Sequence, residues 1–186
     1  MSNFVLKYRY KMKNKSIIVS IILFFQYYVS YAEQFYCKNI GIADGLSQSS
    51  VTAIAYDSRG ALWVGTRFGL NEYRNRKVRT FLDSGSEGLC GNYITSLYLD
   101  SLKNVWVSTE KGLSVYDRSL DKFCLKSEMP VYCAYQNKDG LWFGGRDGLL
   151  YFNGDEKSLY KQKGAYIIEI HDLNNSLLLV DKGIGV

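Results

Sequence analysis

From residue 51 onward, apolar and polar residues alternate in short runs separated by turn chemistry. Val51, Ala53, Ala55 and Asp57 fall on one face of an extended chain, with Thr52, Ile54 and Tyr56 on the other, so Val51–Asp57 reads as a strand. Asp57-Ser58-Arg59-Gly60 supplies a turn, Leu62–Thr66 a second strand, and Arg67-Phe68-Gly69 a tight turn. Leu70–Tyr73 and Lys77–Leu82 follow as strands three and four. The same order returns as Tyr93–Leu99, Asn104–Thr109, Leu113–Asp117 and Lys122–Lys126. It returns again as Val131–Gln136, Leu141–Gly144, Leu149–Phe152 and Lys157–Lys161. Ala165–Asp172 and Ser176–Asp181 open a fourth set, and the sequence stops at Val186 just inside its third strand. Ahead of the first set, Gln34–Ile42 reads as a strand followed by the turn Asp44-Gly45-Leu46-Ser47.

A repeated unit underlies this pattern. Leu62-Trp63-Val64-Gly65-Thr66-Arg67-Phe68-Gly69-Leu70 comes back as Val105–Leu113 and as Leu141–Leu149, with a worn copy at Leu177–Ile184. Trp63, Trp106 and Trp142 are the only tryptophans, and each stands six residues before a glycine, Gly69, Gly112 or Gly148. A period of about 35–45 residues marks a repeat architecture, and four short antiparallel strands per repeat make a propeller blade. The fold class is therefore all-β, with β-propeller repeats over residues 33–186. The blades are expected at about 50–82, 93–126 and 131–161, with an incomplete fourth at 165–186. Such a chain forms an open arc, a fragment of a larger propeller. The alternative is a closed four-bladed ring in which Gln34–Ile42 completes the fourth blade. A residue repeated once per blade is expected to pack between blades, so Trp63, Trp106 and Trp142 read as structural, as do the turn glycines Gly69, Gly112 and Gly148. The small residues two places after each tryptophan (Gly65, Ser108, Gly144) share its face and make room there.

Composition agrees with a β fold: aromatic residues make up 15% of the chain, and 17 glycines stand against 1 proline. The net charge of +5 is a property of the leading segment. Residues 1–32 hold Lys7, Arg9, Lys11, Lys13 and Lys15 and no acidic residue, which leaves the rest of the chain formally neutral. A basic footprint for nucleic acid is thus absent from the repeats, and no nucleic-acid partner is expected. Residues 1–32 read as an export signal: Lys11, Lys13 and Lys15, then the apolar Ile17–Phe25, then Ser30-Tyr31-Ala32 as a cleavage site of small-x-small type. A membrane anchor is the competing reading, but the apolar run falls short of the ~20 residues that span a bilayer. Translation can begin at Met1 or Met12.

Candidate chemistry is sparse. The pair before each turn glycine varies from copy to copy: Arg67-Phe68, Glu110-Lys111 and Arg146-Asp147. These tips fall on the propeller face that also carries the loops from blade to blade, and analogy with other propellers, many of which bind ligands on that face, makes them the candidate ligand-binding residues. An exposed hairpin tip with no ligand is the plainer alternative. His171 is the only histidine and sits at a strand end, away from any nucleophile. Cys37, Cys90, Cys124 and Cys133 lack the C-x-x-C spacing of a metal site, and in an oxidising compartment they can pair in three ways or stay free. No catalytic residue, metal or cofactor is assigned.

The repeats resemble the two-component regulator propeller family. Asp57, Gly60, Leu62–Thr66, Gly69-Leu70 and Tyr73 match its repeat in order. The second copy keeps Asp100, Val105–Val107, Thr109, Gly112-Leu113 and Tyr116, with Lys103 and Ser108 where glycines are usual. The third keeps Gly140–Gly144, Gly148-Leu149 and Tyr151, with a first turn one residue shorter and Gly145 in place of Thr. The fourth has Leu177 aligned where Trp is usual. The resemblance implies an exported, periplasmic sensor module of a hybrid two-component system, common in bacteria that forage on polysaccharides, with oligosaccharide ligands. It implies further sensor domains, a membrane helix, a dimer partner and a histidine kinase downstream, and no enzyme activity in this chain itself. A secreted propeller enzyme of lyase or glycosidase type, or a closed four-bladed binding protein, is the alternative.

Overall fold

The computed structural model describes residues 17, 19–21, 23–24, 37–83, 88–154, 156–173 and 176–182. The chain divides into two units, residues 1–39 and 40–186. In the first, the described residues between Ile17 and Phe24 are helical and exposed, and most of the expected export signal lies outside the described residues. No helix among the described residues is long and apolar enough to cross a membrane.

The second unit is built from antiparallel four-stranded sheets. Blade 1 holds β1 (Val51–Tyr56), β2 (Leu62–Thr66), β3 (Gly69–Arg74) and β4 (Lys77–Phe81), paired in chain order. Blade 2 holds β5 (Ile94–Leu99), β6 (Val105–Thr109), β7 (Gly112–Asp117) and β8 (Lys122–Ser127), paired in the same way. Blade 3 begins with β9 (Val131–Gln136) and the long β10 (Leu141–Asn153). The first part of β10 pairs with β9 and the second with β11, and the strand reverses at Asp147 (φ 66°) and Gly148 (φ 145°). β11 (Glu156–Leu173) runs from the outer edge of blade 3 into the fourth blade, where it pairs with β12 (Ser176–Asp181).

Two expected features differ. The fourth strand of blade 3 and the first strand of the next blade are one continuous element: the strand runs on through a kink at Gly164 (φ 81°), and Arg146 pairs with Tyr166 across a shift of register. Of the expected strand Gln34–Ile42, residues 37–41 form no strand and Ile42–Asp44 form a 3-10 turn, while residues 34–36 lie outside the described residues. The cause is local: the Asp44 carboxylate accepts the Gly41 N–H at 3.0 Å, and Gly45 takes φ 107°, which turns the backbone away from an extended path.

Contacts between blades follow chain order: β1 and β2 lie against β5, β5 and β6 against β9, and β9 against β11. Trp63, fully buried, meets Tyr116 and Phe123 of blade 2 with ring centroids 5.2 and 6.3 Å apart. Trp106 meets Phe143 and Phe152 of blade 3 at 5.1 and 5.3 Å. Trp142 is only partly buried and lies on Tyr151 of its own blade at 4.2 Å. Two residues along the same face, Gly65 admits the first strand of blade 2: a Cβ there would sit 2.6 Å from Ile94 Cγ2. Gly144 stands in the same relation to Ile167, at 2.5 Å. At the second seam Ser108 replaces the glycine, and its hydroxyl donates to Val131 O at 2.7 Å and accepts from Val131 N at 3.2 Å.

A buried carboxylate holds each of the first two tryptophans. Asp57 Oδ2 accepts the Trp63 indole N–H at 3.3 Å, and Asp100 Oδ2 accepts that of Trp106 at 2.9 Å. Asp57 Oδ1 also takes the N–H groups of Arg59 and Ala61, at 2.8 and 3.0 Å, which closes the β1–β2 turn. Burial opposes the Asp57 charge, but these donors and the nearby Arg59 outweigh it and hold the carboxyl below the usual aspartate value. In blade 3 Asn137 stands at this place on a turn one residue shorter. Its Oδ1 is taken by Asp139 N and Gly140 N, and the buried Trp142 Nε1 has no hydrogen-bond partner among the described residues.

Gly65→Val is expected to cost about 1–3 kcal/mol in urea unfolding, because a branched side chain must displace Ile94 at the seam. Asp57→Asn keeps the shape but turns a donor towards the indole N–H, and should cost about 1–3 kcal/mol at pH 7. The folded pKa of Asp57 lies below its unfolded value, so its charge stabilises the fold above about pH 4, and that part is lost as pH falls through the folded value. Unfolding curves at pH 7 and pH 3 should therefore converge for wild type and Asp57→Asn at the lower pH. A gap that stays constant between the two would contradict this role.

Candidate functional site

The three complete hairpin tips lie beside the loops that connect successive blades. At the first, the Thr66 hydroxyl donates to Gly69 O and accepts Phe68 N–H, which fixes the β2–β3 turn. Gly69 N then donates to Asn92 O, in the loop leading into blade 2, at 2.7 Å. Thr109 repeats the device in blade 2, with Gly112 O at 3.3 Å and Lys111 N at 3.2 Å. Blade 3 has Gly145 here, and its tip is held instead from outside: Arg146 N donates to Pro130 O at 3.2 Å, and Gly164 N donates to Asp147 Oδ1 at 3.1 Å.

The six candidate residues therefore share one face but differ in what their side chains do. Glu110 accepts the Tyr93 N–H at 2.9 Å, and Lys111 pairs with Asp83 at 2.7 Å, so both fasten the loop between blades 1 and 2. The hydrogen bond to Asp83, with its charge, raises the Lys111 pKa. Asp147 fastens β11 at Gly164, where that strand passes from blade 3 to the fourth blade. Arg67 and Phe68 are exposed, and the Arg67 guanidinium stands 6.0 Å from the centre of the Tyr93 ring. Arg146 is exposed as well, 5.9 Å from the Tyr166 ring. The charge of Tyr132, and then the neighbouring Tyr166, raises the Arg146 pKa further.

Three tyrosines join this face that the hairpin-tip pattern does not single out. Tyr132 and Tyr166 come from adjacent blades and stack with centroids 4.4 Å apart at an interplanar angle of 18°. Burial is the first cause that raises the Tyr132 pKa, followed by its bond to Tyr166. Tyr93 and Tyr166 occupy the same place in their repeats, just ahead of the residues Ile94 and Ile167 that enter the glycine gaps. That shared register was the signal available. Arg67 and Arg146 correspond likewise, so the arginine-over-tyrosine pair occurs at two seams, with Glu110 and Pro130 in its place at the middle one.

The remaining candidates lie elsewhere. His171 is exposed and bonds Glu169 at 3.0 Å. Cys37, Cys90, Cys124 and Cys133 are all free thiols, and burial pushes the Cys133 thiol up to about 11. Among the described residues no group of three or more His, Cys, Asp or Glu side chains is placed to hold a metal ion.

Comparison with known proteins fits this geometry. The sequence profile described as "Two component regulator propeller" matches residues 45–68 and 88–111, each running from a Gly-Leu pair to a hairpin tip. "Histidine kinase P4" of Formosa agariphila is 42% identical over 67 residues, which is 34% of this chain and 5% of that protein. Among solved structures, the extracellular domain of a hybrid two component system protein from B. thetaiotaomicron superposes with a TM-score of 0.66 at 21% identity, over 76% of this chain and 23% of its own. A second such domain from that organism gives 0.61 at 23% identity, over 72% of this chain and 20% of its own. At these identities the superpositions speak to the fold. This chain spans under a quarter of the length of each of these relatives. Residues 45–68 and 88–111 thus match the repeat of the two-component regulator propeller family, and the strands that carry them fold as propeller blades.

Proposed function

We propose that the chain is an exported, periplasmic ligand-sensing module from the front of a hybrid two-component sensor. Its ligand would be an oligosaccharide, taken on the face formed by Arg67, Phe68, Glu110, Lys111, Arg146 and Asp147. The observation that carries this reading is the division of labour on that face. Glu110, Lys111 and Asp147 fasten the connections between blades, while Arg67, Phe68 and Arg146 stay exposed beside Tyr93, Tyr132 and Tyr166. Aromatic rings and guanidinium groups on a rigid scaffold supply stacking and hydrogen bonding with little ordering cost, which suits a polar ring-bearing ligand. Signalling would need the downstream sensor domains, dimer partner and kinase of a longer protein.

Calorimetric titration with a panel of oligosaccharides tests the reading. The double variant Arg67→Ala, Phe68→Ala should weaken the bound member by about tenfold or more while shifting the melting temperature by less than about 3 °C, because neither side chain supports the core. If no oligosaccharide binds, or if the double variant binds as well as the wild type, the assignment of this face fails.

A further inference from the structure

The two complete seams end differently on their outer side. Between blades 1 and 2, Phe81 and Phe123 meet at 5.2 Å over Trp63, and Arg79 reaches across to Asp121 at 2.8 Å. That seam is closed by aromatic side chains and an ion pair. At the next seam the same register places carry other residues. Phe123 pairs with Tyr116 in blade 2, and the matching pair in blade 3 is Lys157 with Phe152. Phe81 pairs with Leu70 in blade 1, and the matching pair in blade 2 is Ser127 with Leu113. A lysine and a serine thus stand where two phenylalanines close the first seam.

The consequence is a groove of about 530 Å³ between blades 2 and 3. Trp106, Val115 and Phe152 form its floor, and Arg118, Lys126 and Lys157 contribute to its rim. Lys157 Nζ donates to Lys126 O at 2.7 Å, and Arg118 donates to Lys103 O, so both are placed by neutral carbonyls, and neither forms an ion pair among the described residues. Arg118 Nε is buried without a hydrogen-bond partner among the described residues. The one rim carboxylate among the described residues, Asp117, is turned into its own loop, where it accepts from the N–H groups of Ser119 and Leu120 and from the Ser119 hydroxyl.

We propose that this groove binds a small aromatic carboxylate, with its ring in the place that Phe81 and Phe123 fill at the neighbouring seam and its anion among Arg118, Lys126 and Lys157. The first seam serves as an internal template for the apolar part, and the three cations supply charge complementarity for the carboxylate. The volume suits a ligand of one or two fused rings. The site lies on the outer side of the arc and shares no residue with the hairpin-tip face.

The test is a titration of the full chain with 2-naphthoate, followed by tryptophan fluorescence and calorimetry, with neutral 2-naphthylmethanol as the comparison. Naphthoate should bind saturably and at least about tenfold tighter than the alcohol. Lys126→Gln combined with Lys157→Gln, both exposed positions, should lose on the order of tenfold in naphthoate affinity without altering the alcohol. Lys157→Phe should fill the groove, abolish binding and leave the melting temperature equal or higher. Absence of saturable naphthoate binding, equal affinity for acid and alcohol, or binding untouched by the lysine pair would each overturn the proposal. The glutamine variant decides between these outcomes even if Lys157→Phe fails to fold.

Discussion

Each blade depends on what the next one presses against its second strand. That strand carries a tryptophan and, two residues on, a small residue, and both face the following blade. At the first seam the indole fills the outer part of the space, while Gly65 lets Ile94 approach until no Cβ could fit between them. A glycine within a strand costs about 0.5–1 kcal/mol of backbone freedom relative to alanine. Close contact between sheets offsets that loss through dispersion and burial along the whole seam. Ser108 shows the other solution: a hydroxyl small enough to be admitted and bonded on both sides to the Val131 backbone.

The same constraint explains the exposed apolar residues of blade 1. Leu97 and Leu99 of β5 pack against Trp63, Leu70 and their neighbours. Ile54 and Tyr56 hold the corresponding places in β1 and are 67% and 68% exposed. Residues chosen for a seam are here without one among the described residues, which is the mark of an open arc. The pairing with His171 puts Leu178, one residue past the sequence-aligned Leu177, in the tryptophan's register, and it is 48% exposed for the same reason. The leading segment is attached differently. Asn71 Oδ1 accepts the Ser47 N–H, and its Nδ2 donates to the Ser47 hydroxyl and to Val64 O, so a buried side-chain amide ties Ser47 to blade 1 where no strand pairing does.

Much of this was legible in the sequence, because the repeat is a packing rule written in residue types. The bounds of β2 and β9 read directly from the apolar runs, and the glycine after each tip located the hairpins. Gln34–Ile42 misled because alternation reports only that a segment could pair, and pairing needs an available edge. The merger of two strands in β11 was hidden because Gly164, a turn signal by type, kinks the chain without ending the strand. Asp57 was visible as a repeated turn residue, but its bond to the Trp63 indole depends on a side chain six residues away folding back beneath it. Tyr132 and Tyr166 could not be paired from sequence, since their contact exists only when two blades are placed side by side.

What the repeat leaves unconstrained is where the seams acquire individual character. Tryptophan and the small residue recur because every seam needs them, so they carry little information specific to one seam. The hairpin tips and the outer strand meet no such requirement, and there the copies diverge: Arg67, Glu110 and Arg146 at one end, Phe123 and Lys157 at the other. Seam 1–2 uses that freedom to add aromatic contacts and a salt bridge. Seam 2–3 instead places cations around an open floor. A propeller arc can hold such an open seam because Trp106, Phe143 and Ser108 already secure its inner part. Recognition sites can therefore differ from seam to seam while the fold stays the same, provided they are built from residues outside the tryptophan and small-residue step.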